Sequence, residues 1–210
     1  NRIGNWVINE ALLQLKIWQQ HSINLEVSVN ISSHHLQSEA FFFELNTALA
    51  KQPSVDPHCL QLEILESSAL GDINAISGII DTCQSTLGVK VALDDFGTGY
   101  SSLTHLRNIP VNTIKIDQSF VRDMLDDPND YAIIDGIIGL ADSFNREVIA
   151  EGVETTEHGL MLMMMDCKEA QGYGIAKPMP ANEFPQWLKD YTPNQEWLDC
   201  GKQHHSSREN

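Results

Sequence analysis

Leu93-Asp94-Asp95-Phe96-Gly97-Thr98-Gly99-Tyr100-Ser101-Ser102-Leu103 is the stretch on which the reading of this chain turns. The apolar run Val89-Lys90-Val91-Ala92-Leu93 before it has the composition of a buried strand. That strand ends in two adjacent carboxylates, which repel one another unless something cationic joins them; a hard divalent metal does so well. Gly97 and Gly99 permit a tight loop directly over such a site. The segment alone is equally open to a plainer reading, a strand closing in an Asp-rich turn, where Asp and Gly are common.

Outward from this stretch, apolar spacing predicts helices over residues 3–20, 38–51, 72–87, 130–144, 155–165 and 181–191. Strands are predicted over 26–31, 59–65, 90–93, 113–116, 147–150 and 169–174. Strand–helix alternation at this length means parallel strands with helical crossovers, in a barrel or an open doubly wound sheet. No stretch reads as an interdomain linker. One domain is expected over 1–200, with a polar, disordered tail over 201–210. The methionines Met161, Met163, Met164 and Met165 read as core packing of a helix against a sheet.

Side chains alternate across a strand, so each strand can be sorted into two faces. Val27, Val29 and Ile31 oppose Ser28 and Asn30; Leu62 and Ile64 oppose Gln61 and Glu63; Val91 and Leu93 oppose Ala92 and Asp94. Ile114 and Ile116 oppose Thr113, Lys115 and Asp117, while Val148 and Ala150 oppose Ile149 and Glu151; Gln171 and Tyr173 share a face. One face of nearly every strand is therefore apolar. The other carries a single functional group near its C-terminal end: Asn30, Glu63, Asp94, Lys115, Glu151 or Gln171. In a parallel barrel these groups converge where barrel enzymes build their sites. Singly, each has a plain explanation: a solvated Glu or Lys, or a satisfied buried amide. Their recurrence at equivalent positions is what argues for a site. A buried Lys among carboxylates is a fitting partner for a developing anion.

The 210 residues suffice for one large core, and 42% hydrophobic with 20% charged residues is ordinary for a globular protein. A net charge of −16 argues against a nucleic-acid polymer as partner, because phosphate backbones are bound by Lys and Arg. Four cysteines without paired metal spacing suit a reducing cytoplasm. No apolar run approaches a membrane span and no signal peptide opens the chain. A start at Asn1 reads as an excised piece of a larger protein.

Six segments together resemble the EAL domain, the bacterial phosphodiesterase family that hydrolyses cyclic di-GMP. They are Val29-Asn30-Ile31-Ser32, Leu62-Glu63-Ile64-Leu65-Glu66, Leu93 to Leu103, Ile114-Lys115-Ile116-Asp117, Ala150-Glu151-Gly152-Val153-Glu154, and Gln171-Gly172-Tyr173 with Lys177-Pro178. The resemblance implies a modified TIM-like (β/α)8 barrel and a site for two Mg2+ or Mn2+ ions. At matching positions it implies Asn30, Glu63, Asp94 and Asp95 as metal ligands, Asp95 bridging both ions, with Glu151 supporting the metal-bound water directly or through hydrogen bonds. It implies Lys115 orienting the nucleophilic water, and Gln171 positioning water or phosphate. Glu66 would hold the loop from Phe96 to Leu103, and Asp117 and Glu154 would contact substrate. The implied product is linear pGpG. A homodimer through that loop and fusion to an upstream sensory or GGDEF domain are further implications, in a cytoplasmic domain whose parent protein can be membrane-anchored.

The chain departs from the family pattern at its start. The Glu-Ala-Leu motif that names the family is absent, and the stretch that would hold it carries two strands, one metal-binding Glu and a substrate-binding Arg. The 210 residues by themselves are therefore expected to be inactive or nearly so. At Leu65 the family usually has Thr. Two other readings compete with the enzyme: a cyclic di-GMP receptor without turnover, and an adaptor that binds a protein partner through its surface.

Overall fold

A computed structural model describes residues 1–69, 73–99 and 103–208, which fall into two compact units, Asn1–Thr113 and Ile114–Asn210. In both, parallel strands alternate with helices, the βα order of the α/β class.

The first unit opens with α1 (Arg2–Gln20), whose Ile8, Ala11, Leu12 and Leu15 recur at helical spacing and are all buried. Strand β1 (Val27–Asn30) leads into the short α2 (Ser33–Leu36), where Ser32 caps the turn by accepting the His35 N–H at 3.2 Å. Helix α3 (Phe41–Ala50) buries Phe41, Leu45 and Ala48. Strand β2 (Leu60–Leu65) runs parallel to β1, with Asn30 beside Glu63. The single turn α4 (Glu66–Ala69) follows, then α5 (Ile73–Thr82), which ends in a π turn over Cys83–Leu87. Gly88, at φ 76°, closes that turn in the left-handed region. Strand β3 (Lys90–Phe96) is parallel to β2 and places Leu65 beside Asp94; α6 (Leu103–Asn108) comes next. A polar chain runs inward through this unit: the exposed Ser28 donates to Gln61 at 3.0 Å, and the buried Gln61 donates to Thr113 at 3.0 Å.

Strand β4 (Thr113–Ile116) is buried along its length. The second unit continues through α7 (Gln118–Asp123), α8 (Pro128–Ser143), β5 (Glu147–Ala150), α9 (Thr156–Met164), β6 (Glu169–Ala170), α10 (Phe184–Asp190) and α11 (Gln195–Arg208). Strands β5 and β6 are parallel, Ile149 beside Glu169 and Ala150 beside Ala170. Helix α8 starts at Asp127, which accepts the Asn129 N–H, followed by Pro128 at the first helical position. Of the clustered methionines, Met165 is buried and Met164 is 56% exposed, so only part of that stretch packs inward.

The strands match their expected spans within a residue or so, with two exceptions. β3 runs three residues past Leu93, through both carboxylates to Phe96. The strand expected over 169–174 stops at Ala170. A Cβ at Gly172 would lie 2.2 Å from the Val153 carbonyl oxygen, so the chain leaves the ladder where only glycine fits. The tail expected to be disordered beyond Cys200 is helical as far as Arg208. The short helices α2, α4, α6 and α7 span too few turns for a 3.6-residue period to show. Tyr100, Ser101 and Ser102 of the loop, and the expected helix start at Asp72, lie outside the described residues. No described helix is long and apolar enough to cross a membrane.

Candidate functional site

In the first unit the acidic groups stand on neighbouring strands. Register places Asn30 of β1 beside Glu63 of β2, and Glu63 beside Ala92 of β3. Glu63 and Asp94 are buried, Asp95 is half-buried, and Asn30, the last residue of β1, is exposed. Regular alternation would send Asp94 and Asp95 to opposite faces. Asp95 instead has φ 54°, in the left-handed region. Asp94 and Asp95 each bring a carboxylate oxygen to within 4.8 Å of the other. A left-handed backbone at a residue with a Cβ costs on the order of 1 kcal/mol, reduced for Asp by its short polar side chain. The two carboxylates offer oxygen donors close enough to share a cation, and Glu63 and Asn30 stand on the neighbouring strands. Oxygen donors of this kind fit a hard divalent cation such as Mg2+ or Mn2+.

Glu66 sits directly after β2 and is 2% exposed. Its Oε2 accepts the backbone N–H groups of Gly97 at 2.9 Å and Gly99 at 3.2 Å. Thr98 donates its hydroxyl to the Asp95 carbonyl at 3.0 Å. One buried carboxylate therefore binds two amides of the segment just beyond the Asp pair, giving charge-assisted bonds stronger than neutral ones.

In the second unit the groups meet around one oxygen. Lys115 projects from β4, is 4% exposed, and places Nζ 2.6 Å from Glu151 Oε1. Gln171 Nε2 donates to that same oxygen at 2.5 Å. The backbone fixes all three. Lys115 lies within a strand, Glu151 donates its N–H to the Ile116 carbonyl at 3.1 Å, and Gln171 donates its N–H to the Ala150 carbonyl at 2.9 Å. The contact gives each of these water-poor side chains a partner of opposite formal charge. The trio thus combines a cation, an anion and a neutral amide, all able to bind a water or an anionic oxygen.

Asp117 caps α7: its Oδ1 accepts the Ser119 N–H at 2.9 Å and also bonds the Ser119 hydroxyl. Glu154 is exposed, and its N–H donates to His158 Nδ1 at 3.4 Å. Glu151, Glu154 and Gln171 line one cavity of about 550 Å3, together with Gln118, Lys177 and Trp187. That volume suits a small organic ligand. Sequence reasoning missed Gln118 and Trp187. The signal for Trp187 was present: Phe184, Trp187 and Tyr191 are spaced for one helix face, and their rings stack with centroids 5.5 and 4.8 Å apart.

Parallel βα units with polar groups at or just past their strand ends place the chain in the barrel-type α/β fold class. Within it, the chain belongs to the EAL domain family, whose model matches residues 1–178. It is 37% identical over 187 residues to the cyclic di-GMP phosphodiesterase PA2567 of Pseudomonas aeruginosa, covering 89% of this chain and 32% of that protein. It is 39% identical over 190 residues to the cyclic di-GMP phosphodiesterase PdeR of Escherichia coli, covering 90% and 28% respectively. Among solved structures, the PaMucR phosphodiesterase in its cyclic di-GMP complex is similar at a TM-score of 0.82 and 35% identity, over 87% of this chain and 74% of that one. The chain thus spans about a third or less of the length of these curated relatives.

Proposed function

We propose that the protein carrying this chain hydrolyses cyclic di-GMP to linear pGpG in bacterial second-messenger signalling. The observation that supports this most directly is the Lys115–Glu151–Gln171 trio in a member of the EAL family. The acidic and amide groups of the first unit accompany it, and the relatives named above act on cyclic di-GMP.

In this reading Asn30, Glu63, Asp94 and Asp95 would hold two Mg2+ or Mn2+ ions, and Glu151 would serve as a further ligand or support. When bound, such ions lower the pKa of water and neutralise phosphoryl oxygens. Glu151 accepts a hydrogen bond from the attacking water. Lys115 orients that water and offsets the charge growing on the phosphoryl oxygens, an effect confined to the transition state. Gln171 fixes the position of water or phosphate. The water oxygen forms a bond to phosphorus, one ester P–O bond breaks, and the departing 3′ oxygen takes a proton. Asp117 and Glu154 contact the substrate, and Glu66 keeps the loop beyond Asp95 in shape. The acting form is a cytoplasmic domain joined to an upstream sensory or GGDEF domain, with a homodimer as its assembly.

The test is to incubate the protein, extended to include the Glu-Ala-Leu strand, with cyclic di-GMP and Mg2+ or Mn2+, and to follow pGpG by chromatography. Metal-dependent product is the expected result. Folded protein that binds cyclic di-GMP without product overturns the enzyme in favour of a receptor. Folded protein with neither property leaves an adaptor.

A further inference from the structure

Helix α11 lies past residue 178, where the family match ends. It nevertheless docks on α9 by specific contacts. Asn194 caps α11 by accepting the Glu196 N–H at 2.8 Å. The same Asn194 donates from Nδ2 to Thr156 Oγ1 at 2.8 Å, and Trp197 donates from Nε1 to the Thr156 carbonyl at 2.9 Å. Both oxygens of Thr156, the first residue of α9, are thereby taken by groups of the C-terminal element. One turn further along α9, a Cβ at Gly159 would lie 2.5 Å from Trp197 Nε1 and 2.6 Å from its Cε2. Gly159 is therefore a notch cut to the width of the indole.

Thr156 is close in sequence to Glu151, and bonds fill the interval. Thr155 caps α9 by accepting the His158 N–H at 3.2 Å. Glu154 donates its N–H to His158 Nδ1. Val153 donates its N–H to the Gln171 carbonyl at 3.0 Å and accepts the Gly174 N–H at 2.8 Å. Glu151 then meets Lys115 and Gln171. Residues 151–155 form an irregular link between a four-residue strand and a nine-residue helix. Such a link is placed by its end points, and α11 pins one of them.

We infer that α11 is a strap and Trp197 a positioning residue: the indole seated at Gly159 fixes the start of α9, and so the link that carries Glu151 and abuts Gln171. This rests on the hydrolase reading for its effect on rate. Displacing reacting groups by about 1 Å can cost on the order of 10²-fold in rate, so a loosened link is felt without any contact between Trp197 and substrate.

The experiment uses the full-length protein with Trp197→Ala, Gly159→Ala, the two combined, and the milder Trp197→Phe and Asn194→Ala. Turnover is measured with hydrogen exchange at the Val153, Glu154 and Gly174 amides. Trp197→Ala is expected to lower kcat by roughly tenfold with KM changed by less than about twofold, and to speed exchange at those amides by about tenfold. Gly159→Ala, which evicts the indole, has the same effect and adds nothing in the Trp197→Ala background. Trp197→Phe, which keeps a ring in the notch, recovers most of the loss. Asn194→Ala produces a smaller version of the same changes, which keeps the test available if Trp197→Ala does not fold. Unchanged kcat and exchange in Trp197→Ala, or fully additive effects of the two substitutions, overturn the strap. An unsubstituted protein without turnover, in which Trp197→Ala still loosens the amides, keeps the strap and removes only the hydrolase reading.

Discussion

In Asn1–Thr113 most of the site groups are carried within strands, whereas in Ile114–Asn210 two of the three stand just past the ends of very short ones. Glu63 and Asp94 are placed by ladder register on both sides of β2, so their positions are as firm as the sheet. Glu151 and Gln171 sit just past β5 and β6, their backbone N–H groups bonded to the Ile116 and Ala150 carbonyls and their side chains meeting each other, with Lys115 on the same Glu151 oxygen. Strand-borne groups are supports that the fold cannot easily give up. Groups past the strand ends have less of the ladder behind them, and in the proposed reading their value lies in the chemistry. The first set should answer to perturbation mainly in stability and metal affinity, the second mainly in rate.

Lys115→Met is the strongest way to break this contrast. It keeps the apolar stem in the buried strand and removes the cation. The expected fall in kcat is on the order of 10²–10³, with cyclic di-GMP affinity little changed, measured by steady-state kinetics beside equilibrium binding. A near-normal kcat with much weaker binding would move Lys115 from catalysis to recognition.

Glu66→Ala sharpens the contrast from the other side. It removes the common acceptor of the Gly97 and Gly99 amides, so the expected loss is about 1–3 kcal/mol of stability, read by denaturant unfolding. Faster exchange at those two amides should accompany it. A fall in turnover at unchanged stability would show that a fold-borne residue of the first unit acts chemically after all.

A smaller effect is expected from pH. His35 is 2% exposed, and burial pushes its imidazole below its ordinary value, only partly opposed by Glu44 at 3.6 Å. The unfolded chain then binds the proton more readily than the folded one, so stability rises with pH across this window. Unfolding midpoints should drop as pH falls below about 6.5, the ordinary value for histidine, and His35→Leu should flatten that slope. A slope unchanged by the substitution would assign the dependence to other groups.

Smallest is a difference between thiols of the second unit. Burial pushes the Cys167 thiol up to about 11, whereas Cys200 is half-buried on α11. A thiolate-specific reagent at neutral pH should label Cys200 before Cys167. Equal rates would mean that the second unit opens more readily than its packing implies.

The sequence was most legible where periodicity and burial agree. The spans of α1, β4 and β5 follow from apolar spacing alone, and Glu63, Asp94 and Lys115 from alternation. The roles expected of Glu66, Asp117 and Glu154 came from resemblance, whereas Asp95 was marked by its adjacency to Asp94 and not by alternation. Its backbone shows why: a single left-handed residue undoes the alternation that would set it apart from Asp94. At Gln171 the alternating pattern with Tyr173 suggested more strand than exists, because the approach of Gly172 to Val153 is a tertiary fact. Helix α11 was invisible for a related reason. Its sequence is mostly polar, and what places it is one tryptophan meeting one glycine far away in sequence.

The left-handed backbone at Asp95 also bears on how this protein would evolve under artificial selection. Glycine there would relieve the backbone strain, for a net gain of at most about a few tenths of a kcal/mol after the entropy of the freer chain is counted. A library screened for thermal tolerance alone should therefore accumulate Asp95→Gly and lose the donor set while its members grow hardier. If Asp95 serves as the proposed metal ligand, heat resistance and function pull position 95 in opposite directions, and a stabilising campaign has to hold it fixed and seek its gains elsewhere.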